Sequence, residues 1–232
     1  MYKADVGWPM LHSHDAPLKG SCNSQNALCA SVTTMCEGGS GINPMNGGTY
    51  REHIVGRLAQ TAPLLRASSL KPAAVLLPIV TRPEPTLLFT RRTDHLTSHA
   101  GQICFPGGRF HAPDETLIDT ALREVEEETG ISRALIEIAG FLDPLETRTG
   151  YAILPIVGFM SEDFVAVPST EEVAEIFEAP LGYVLDPKNR QIRSIERKGV
   201  LRDYYAIDFD RHTIWGVTAA IIANFAEKLR AS

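Results

Sequence analysis

FPGGRFHAPDETLIDTALREVEEETGI, residues 105–131, opens on a Gly-rich turn and closes on four glutamates in five positions, Glu124, Glu126, Glu127 and Glu128. Leu117, Ile118, Ala121, Leu122 and Val125 recur at helical spacing, which predicts a helix over 117–129 with those residues buried. Thr116 and Asp119 have capping-box spacing, and Gly130 supplies a C-terminal stop. On such a helix, like charges at i,i+4 cost a few tenths of a kcal/mol each, so the acidic cluster needs a cause. At ~100° per residue, Glu124, Glu127 and Glu128 share one rim while Glu126 points away. Three convergent carboxylates are unfavourable alone and favourable around a hard divalent cation such as Mg²⁺ or Mn²⁺. A solvated acidic face is the plainer reading of a bare glutamate run. The Gly-rich turn upstream, and Arg123 within reach of Glu126 and Glu127 at i+3 and i+4, favour the metal.

The chain around this stretch has 232 residues, 44% of them hydrophobic, enough for one ordinary domain with a tail. Its formal net charge of −6 argues against a protein that binds nucleic-acid phosphates. No apolar run approaches the ~18 residues that span a bilayer, so no membrane partner is expected and a cytoplasmic location is. Cys22, Cys29, Cys36 and Cys104 form no CxxC pattern and read as free thiols.

Residues 1–48 are rich in Gly, Ser, Asn and Thr without a sustained period, and are expected to be disordered or an artefact of start assignment, with Met35 and Met45 as later starts. The folded domain is expected over 49–232. Thr49 and Glu52 have capping-box spacing before a short helix carrying Ile54, Val55, Leu58 and Leu65. Strands are predicted at 73–80 and 86–92 as a hairpin, then loop over 93–115. Further strands are predicted at 136–142, 151–160 and as a pair around 191–208, and a helix from about 213 to 229. The segment EEVAEIFEAPLGYVL (171–185) reads as helix or strand. Without regular βαβ alternation the fold class is α+β, a sandwich around a mixed sheet.

Arg123, Glu124, Val125, Glu127, Glu128, Gly130 and Ile131 fit the second half of the Nudix box, which the stretch resembles. The first half is one residue longer than the commonest pattern, leaving either Asp114 or Glu115 as its acid. Upstream, LLFTRRTDHLTSHAGQICFPGGRFHAPDET looks like the extended motif of the coenzyme A diphosphatases, through Thr90, Arg91, Leu96, His99, Gly101, Gln102, Phe105, Pro106, Gly107, Gly108 and Asp114. The resemblance covers about residues 50–230. It implies the Nudix fold, an α/β/α sandwich with a central mixed sheet and the box as loop-helix-loop. It implies hydrolysis of the pyrophosphate of coenzyme A or a derivative. Another nucleotide such as NADH or a nucleoside triphosphate is the nearest alternative, and a non-catalytic nucleotide sensor is the alternative of another class.

Glu124 and Glu128 are then the principal metal ligands, with Glu127 a third ligand or the water-orienting base. Arg123 steadies the box. Glu171 or Glu172 is a second candidate for the base. Arg91 and Arg92, adjacent on a strand, face opposite ways, so at most one enters the site; the motif match favours Arg91 as phosphate partner. His99 and Gln102 either contact substrate or hold their loop, and Gly107 and Gly108 let backbone approach it. Cys104 and Trp215 read as core. A small molecule is the expected partner, and a homodimer is compatible with the sequence.

Overall fold

The computed structural model describes residues 49–65, 69–197 and 199–231, and the expectations for residues 1–48 lie outside them. In chain order the elements are α1 (Thr49–Arg57), β1 (Lys71–Val80), β2 (Thr86–Arg92), β3 (Ile103–Cys104), β4 (Gly107–Arg109), α2 (Leu117–Thr129), β5 (Ile136–Phe141) and β6 (Leu145–Glu146). They continue with β7 (Tyr151–Met160), β8 (Val173–Pro180), α3 (Leu181–Leu185), β9 (Arg190–Arg197), β10 (Val200–Phe209), β11 (His212–Trp215) and α4 (Val217–Arg230).

Strand β1 lies at the centre. It runs parallel to β7 in register from Lys71↔Tyr151 to Val80↔Met160. Helices cover both faces, which is why its sequence is a near-continuous apolar run. Ala74 and Leu76 pack with Ala121 and Val125 of α2. Leu77 and Ile79 point the other way, towards Ile54 of α1 and Ile222 and Phe225 of α4. The main sheet has the order β3-β2-β1-β7-β5, with β4 on β1, β6 on β7 and β8 on β2; β9, β10 and β11 form a separate antiparallel sheet. This is the expected mixed α+β sandwich of the Nudix fold.

Strands β1 and β2 pair only near their turn, at Ile79↔Leu87 and Val80↔Thr86. Beyond it β1 takes β4 as its partner, at residues 73–75, while β2 takes β3 and β8. The expected hairpin is therefore real but short, and the sheet parts between its strands. Through that parting, glutamates of α2 on one face reach a cavity walled by Val75, Ile103, Phe105 and Ile221, which belong to the core of the other face.

Several boundaries differ from expectation. The stretch 93–115 contains β3 and β4, too short to carry a strand pattern. Residues 171–185 divide into β8, paired with β2, and α3. Leu65 is not on α1, which ends at Arg57, but packs into the core on the α2 face. The last helix begins at Val217, because residues 212–215 pair with β10 and Gly216 takes φ 67.

Candidate active site

Helix α2 is locked at both ends. The Thr116 hydroxyl accepts the Asp119 N–H at 3.2 Å, and Asp119 accepts the Thr116 N–H at 2.9 Å. Gly130 closes the helix at φ 68, a left-handed conformation that costs glycine little, and its N–H reaches the Glu126 carbonyl.

Arg123 organises the rim. Its Nε and Nη2 donate to the two oxygens of Asp114 at 2.9 and 3.1 Å, and Nη1 donates to Glu124 at 2.9 Å and Glu127 at 2.8 Å. Nη2 also meets the Arg109 carbonyl of β4. Such a fork is strong because donor and acceptors are both charged. The Arg123 guanidinium holds the Asp114 carboxyl far below the usual carboxylate range. Between the two upstream acids, Asp114 is the one that engages the box, and Glu115 is exposed.

A cavity of about 670 Å³ opens beside this rim. Among the residues expected in the site, His99, Gln102, Gly107, Gly108, Glu124, Glu128 and Glu172 line it. Arg91, Arg123 and Glu127 do not. Glu127 is exposed and turned to Arg123, while Glu126 pairs with Arg133 at 2.7 Å, away from the cavity. Arg91 bonds Asp94 at 2.6 Å, and its neighbour Arg92 faces inward, 3.9 Å from Glu128 and 4.0 Å from Glu172. Of this adjacent pair Arg92 lines the cavity and Arg91 does not, where the motif match had favoured Arg91. His99 Nδ1 and Gln102 Oε1 are 2.7 Å apart, so these two side chains brace each other at the cavity wall.

The two glycines leave room for the carboxylates and the sheet. A Cβ on Gly108 would stand 2.2 Å from Glu124 Oε1, and one on Gly107 would stand 2.4 Å from the Ala74 carbonyl. Glu128 is buried and receives the Gly107 N–H. Burial, then the nearby Glu124 charge, push its carboxyl up to about 8, against the attraction of Arg92. Its Oε2 has no hydrogen-bond partner, and neither has Arg92 Nε. Burial also raises Glu124. Cys104 lies behind Glu128 with its thiol on Thr90; burial, then the Glu128 charge, push it up to about 11, unsuited to a nucleophile at neutral pH. Trp215 is half-buried at the end of β11, edge-on to Tyr204 at 5.8 Å, and forms part of the cavity wall rather than helix core. Sequence reasoning also missed Arg109, Thr147, Thr149 and Tyr151 on the wall. Arg109 ends the three-residue β4 and Thr147 and Thr149 lie in a turn, where no periodic pattern marks them, and Tyr151 opens the expected strand β7.

A buried, unpartnered carboxylate oxygen beside a second carboxylate suits a hard divalent cation. Among the described residues no group of three His, Cys, Asp or Glu side chains is disposed to hold an ion by itself. Substrate oxygens would complete its shell, as is common for magnesium.

The NUDIX domain family matches residues 70–195. The uncharacterized Nudix hydrolase NudL of Yersinia pestis (strain Pestoides F) is 45% identical over 157 residues, 68% of this chain and 79% of that protein. The NudL of Yersinia pseudotuberculosis serotype O:1b matches to the same extent. Among solved structures, the MutT protein from Methanosarcina mazei Go1 is 28% identical with TM-score 0.41, covering 52% of this chain and 84% of that one. The fold and the box define a hydrolase of phosphoric anhydrides. This chain belongs to the Nudix family. It is an enzyme of the diphosphatase class, and a divalent metal requirement comes with the family. Among the described residues no helix is long and apolar enough to cross a membrane.

Proposed function

We propose that the chain cleaves the pyrophosphate of coenzyme A or one of its derivatives, giving 4′-phosphopantetheine, or its acyl form, and 3′,5′-ADP. Pyrophosphate hydrolysis on a nucleotide substrate follows from the family; coenzyme A is the finer reading, and NADH or a nucleoside triphosphate lie within the coarser one. The observation that carries the finer reading is the meeting of the extended motif with the carboxylate rim. His99 and Gln102 line the same cavity as Glu124 and Glu128 although they are separated from them by the whole of β3, β4 and the following loop.

Glu124 and Glu128 would hold Mg²⁺ or Mn²⁺, which when bound acidifies water and neutralises charge on phosphate oxygens. Gly107 and Gly108 line the cavity, and their lack of side chains lets Glu124 and β1 close on β4, against which the pyrophosphate would lie. Arg92 turns its cation to the phosphates between Glu128 and Glu172. Glu172, exposed on the cavity wall, accepts the proton of the attacking water. The water oxygen bonds one phosphorus, the bridging P–O bond breaks, and each product keeps one phosphate from the bridge. Arg123 positions Glu124 and leaves the reacting atoms alone. Glu127 is exposed and does not line the cavity, so its ligand role ranks below that of the other two.

Purified protein with Mg²⁺ or Mn²⁺ should convert coenzyme A into two phosphate-bearing products, without free phosphate, as read by mass spectrometry, and chelator should stop it. Hydrolysis of NADH or a nucleoside triphosphate with none of coenzyme A would replace the finer reading by the coarser one.

A further inference from the structure

The cavity has further polar lining residues besides the carboxylates, Arg109, Thr147, Thr149 and Tyr151. Arg109 follows Gly108 on β4 and lies opposite Ala73 of β1. Ala73 also pairs with Ile153 of β7, and Tyr151 stands two residues before it on the same face. The Arg109 guanidinium carbon is 5.3 Å from the centre of the Tyr151 ring. The Thr147 hydroxyl binds the turn before that ring, accepting the Tyr151 N–H at 3.0 Å, and lies 3.0 Å from the Thr149 hydroxyl. Arg92 and Arg123 are each turned to glutamates. Among the described residues Arg109 has no carboxylate partner.

We propose that Arg109, braced on Tyr151, binds a second phosphate of the substrate, a phosphomonoester that is not cleaved, and so selects nucleotides that carry one. This deepens the coenzyme A reading and rests on it for the choice of substrate. A guanidinium presents a planar fork that matches phosphate oxygens, and an aromatic face beneath it limits the rotamers lost on binding. The need for such a cation is electrostatic. The chain carries a net charge of −6, and the cavity rim itself is acidic, so an extra dianion on the substrate is repelled unless a cation receives it. One strand step, ~3.3 Å, separates the Arg109 backbone from Gly108, where the pyrophosphate approaches. Gly108 and Arg109 line the same cavity, so one ligand can present a phosphate to each. The 3′-phosphate of coenzyme A has this chemistry, and so has the 2′-phosphate of NADPH.

Two measurements test this. The first compares kcat/KM for coenzyme A against dephospho-coenzyme A, and for NADPH against NADH, in the native protein, Arg109→Ala and Arg109→Lys. The second is calorimetric titration of the same proteins with adenosine 3′,5′-bisphosphate and with AMP, which needs no turnover. The native protein should favour the phosphomonoester-bearing member by about tenfold or more, as expected for a charged hydrogen bond. Arg109→Ala should collapse that ratio mainly through KM, and Arg109→Lys should keep part of it. An unchanged ratio in Arg109→Ala, or an equal loss on both members of a pair, would overturn the proposal while leaving coenzyme A hydrolysis intact. Arg109-dependent preference for the bisphosphate, with coenzyme A left uncleaved, would support the phosphate site and refute the substrate reading. No preference in the native protein, by turnover or by titration, would overturn the site.

Discussion

Helices α2 and α4 cover opposite faces of one sheet, and different forces hold them there. Helix α4 buries Thr218, Ala219, Ile221, Ile222, Ala223, Phe225, Ala226 and Leu229, and it starts at Gly216 without a side-chain cap. Helix α2 buries fewer apolar groups and turns a charged rim to the cavity, with a capping box at one end, a left-handed glycine at the other and Arg123 tying the rim together. Burial is the main tie of α4, and its polar ties run outward to other elements, from the Thr218 hydroxyl to the Ile103 carbonyl and from Arg230 to the Leu185 carbonyl. Where a helix gives one face to chemistry, caps and a guanidinium supply the order that packing no longer does.

Breaking α4 should therefore cost stability, and breaking the α2 rim should cost turnover. The largest expected effect is Phe225→Ala. Phe225 is fully buried and away from the cavity, so the cavity left behind should lower unfolding free energy by ~3–5 kcal/mol. Denaturant titration measures it, and the protein that remains folded should keep its turnover. A stability loss below about 1 kcal/mol would mean that α4 is held by something other than burial.

Next come Glu124→Gln and Glu128→Gln. Each keeps shape and removes a charge that the cation needs, so turnover should fall ~10²-fold or more, about 2.7 kcal/mol of barrier or more. Metal affinity should fall with it, while circular dichroism stays native. Glu128 also has a pH signature. In the folded chain its carboxyl is pushed up to about 8, whereas an unfolded glutamate titrates near ~4.3. Between these values the folded state holds a proton that the unfolded state has released. Metal-free stability should accordingly fall as pH rises through that window and level off above it. Thermal midpoints in chelator should show this slope, and Glu128→Gln should flatten it. A wild-type midpoint that rises across the window, relative to the variant, would contradict the buried-proton account.

Thr116→Ala removes one half of the capping box and should destabilise the protein by ~1 kcal/mol, with little change in turnover. The smallest effect belongs to Glu126→Gln. Its pair with Arg133 is partly exposed, so stability should change by less than about 1 kcal/mol. Its activity should stay within about twofold of native, because a carboxylate outside the cavity offers the transition state nothing. Equal turnover losses at 124, 126 and 128 would erase the distinction between the rim and the outer face of α2, and an acidic surface would replace the metal site.

Much of α2 was legible in sequence because its determinants are local. Capping, helical spacing and the angular separation of Glu124 and Glu128 from Glu126 all lie within fifteen residues, and the structure shows the same cap, stop and outward Glu126. The central strands were legible for a related reason: helices on both faces make β1 and β7 near-continuous apolar runs. Short pieces such as β3 and β4 were not, since two or three residues cannot display a period.

The amino-acid order by itself determined that a helix with a carboxylate rim follows a double glycine, and that a mixed sheet lies between helices. Only tertiary structure decided which groups meet in the cavity. Strand alternation says that one of Arg91 and Arg92 turns inward without saying which. The choice comes from pairing with β8, whose register shifts between these two residues, and such a bulge re-aims side chains. Asp114 prevails over Glu115 because the folded loop brings it within 2.9 Å of Arg123. Trp215 joins the cavity wall because β11 pairs with β10 instead of extending α4. Arg109 meets Tyr151 because β4 and β7 flank the same stretch of β1 from opposite sides. In each case the deciding contact joins residues distant in the chain, and its geometry exists only once the sheet has assembled.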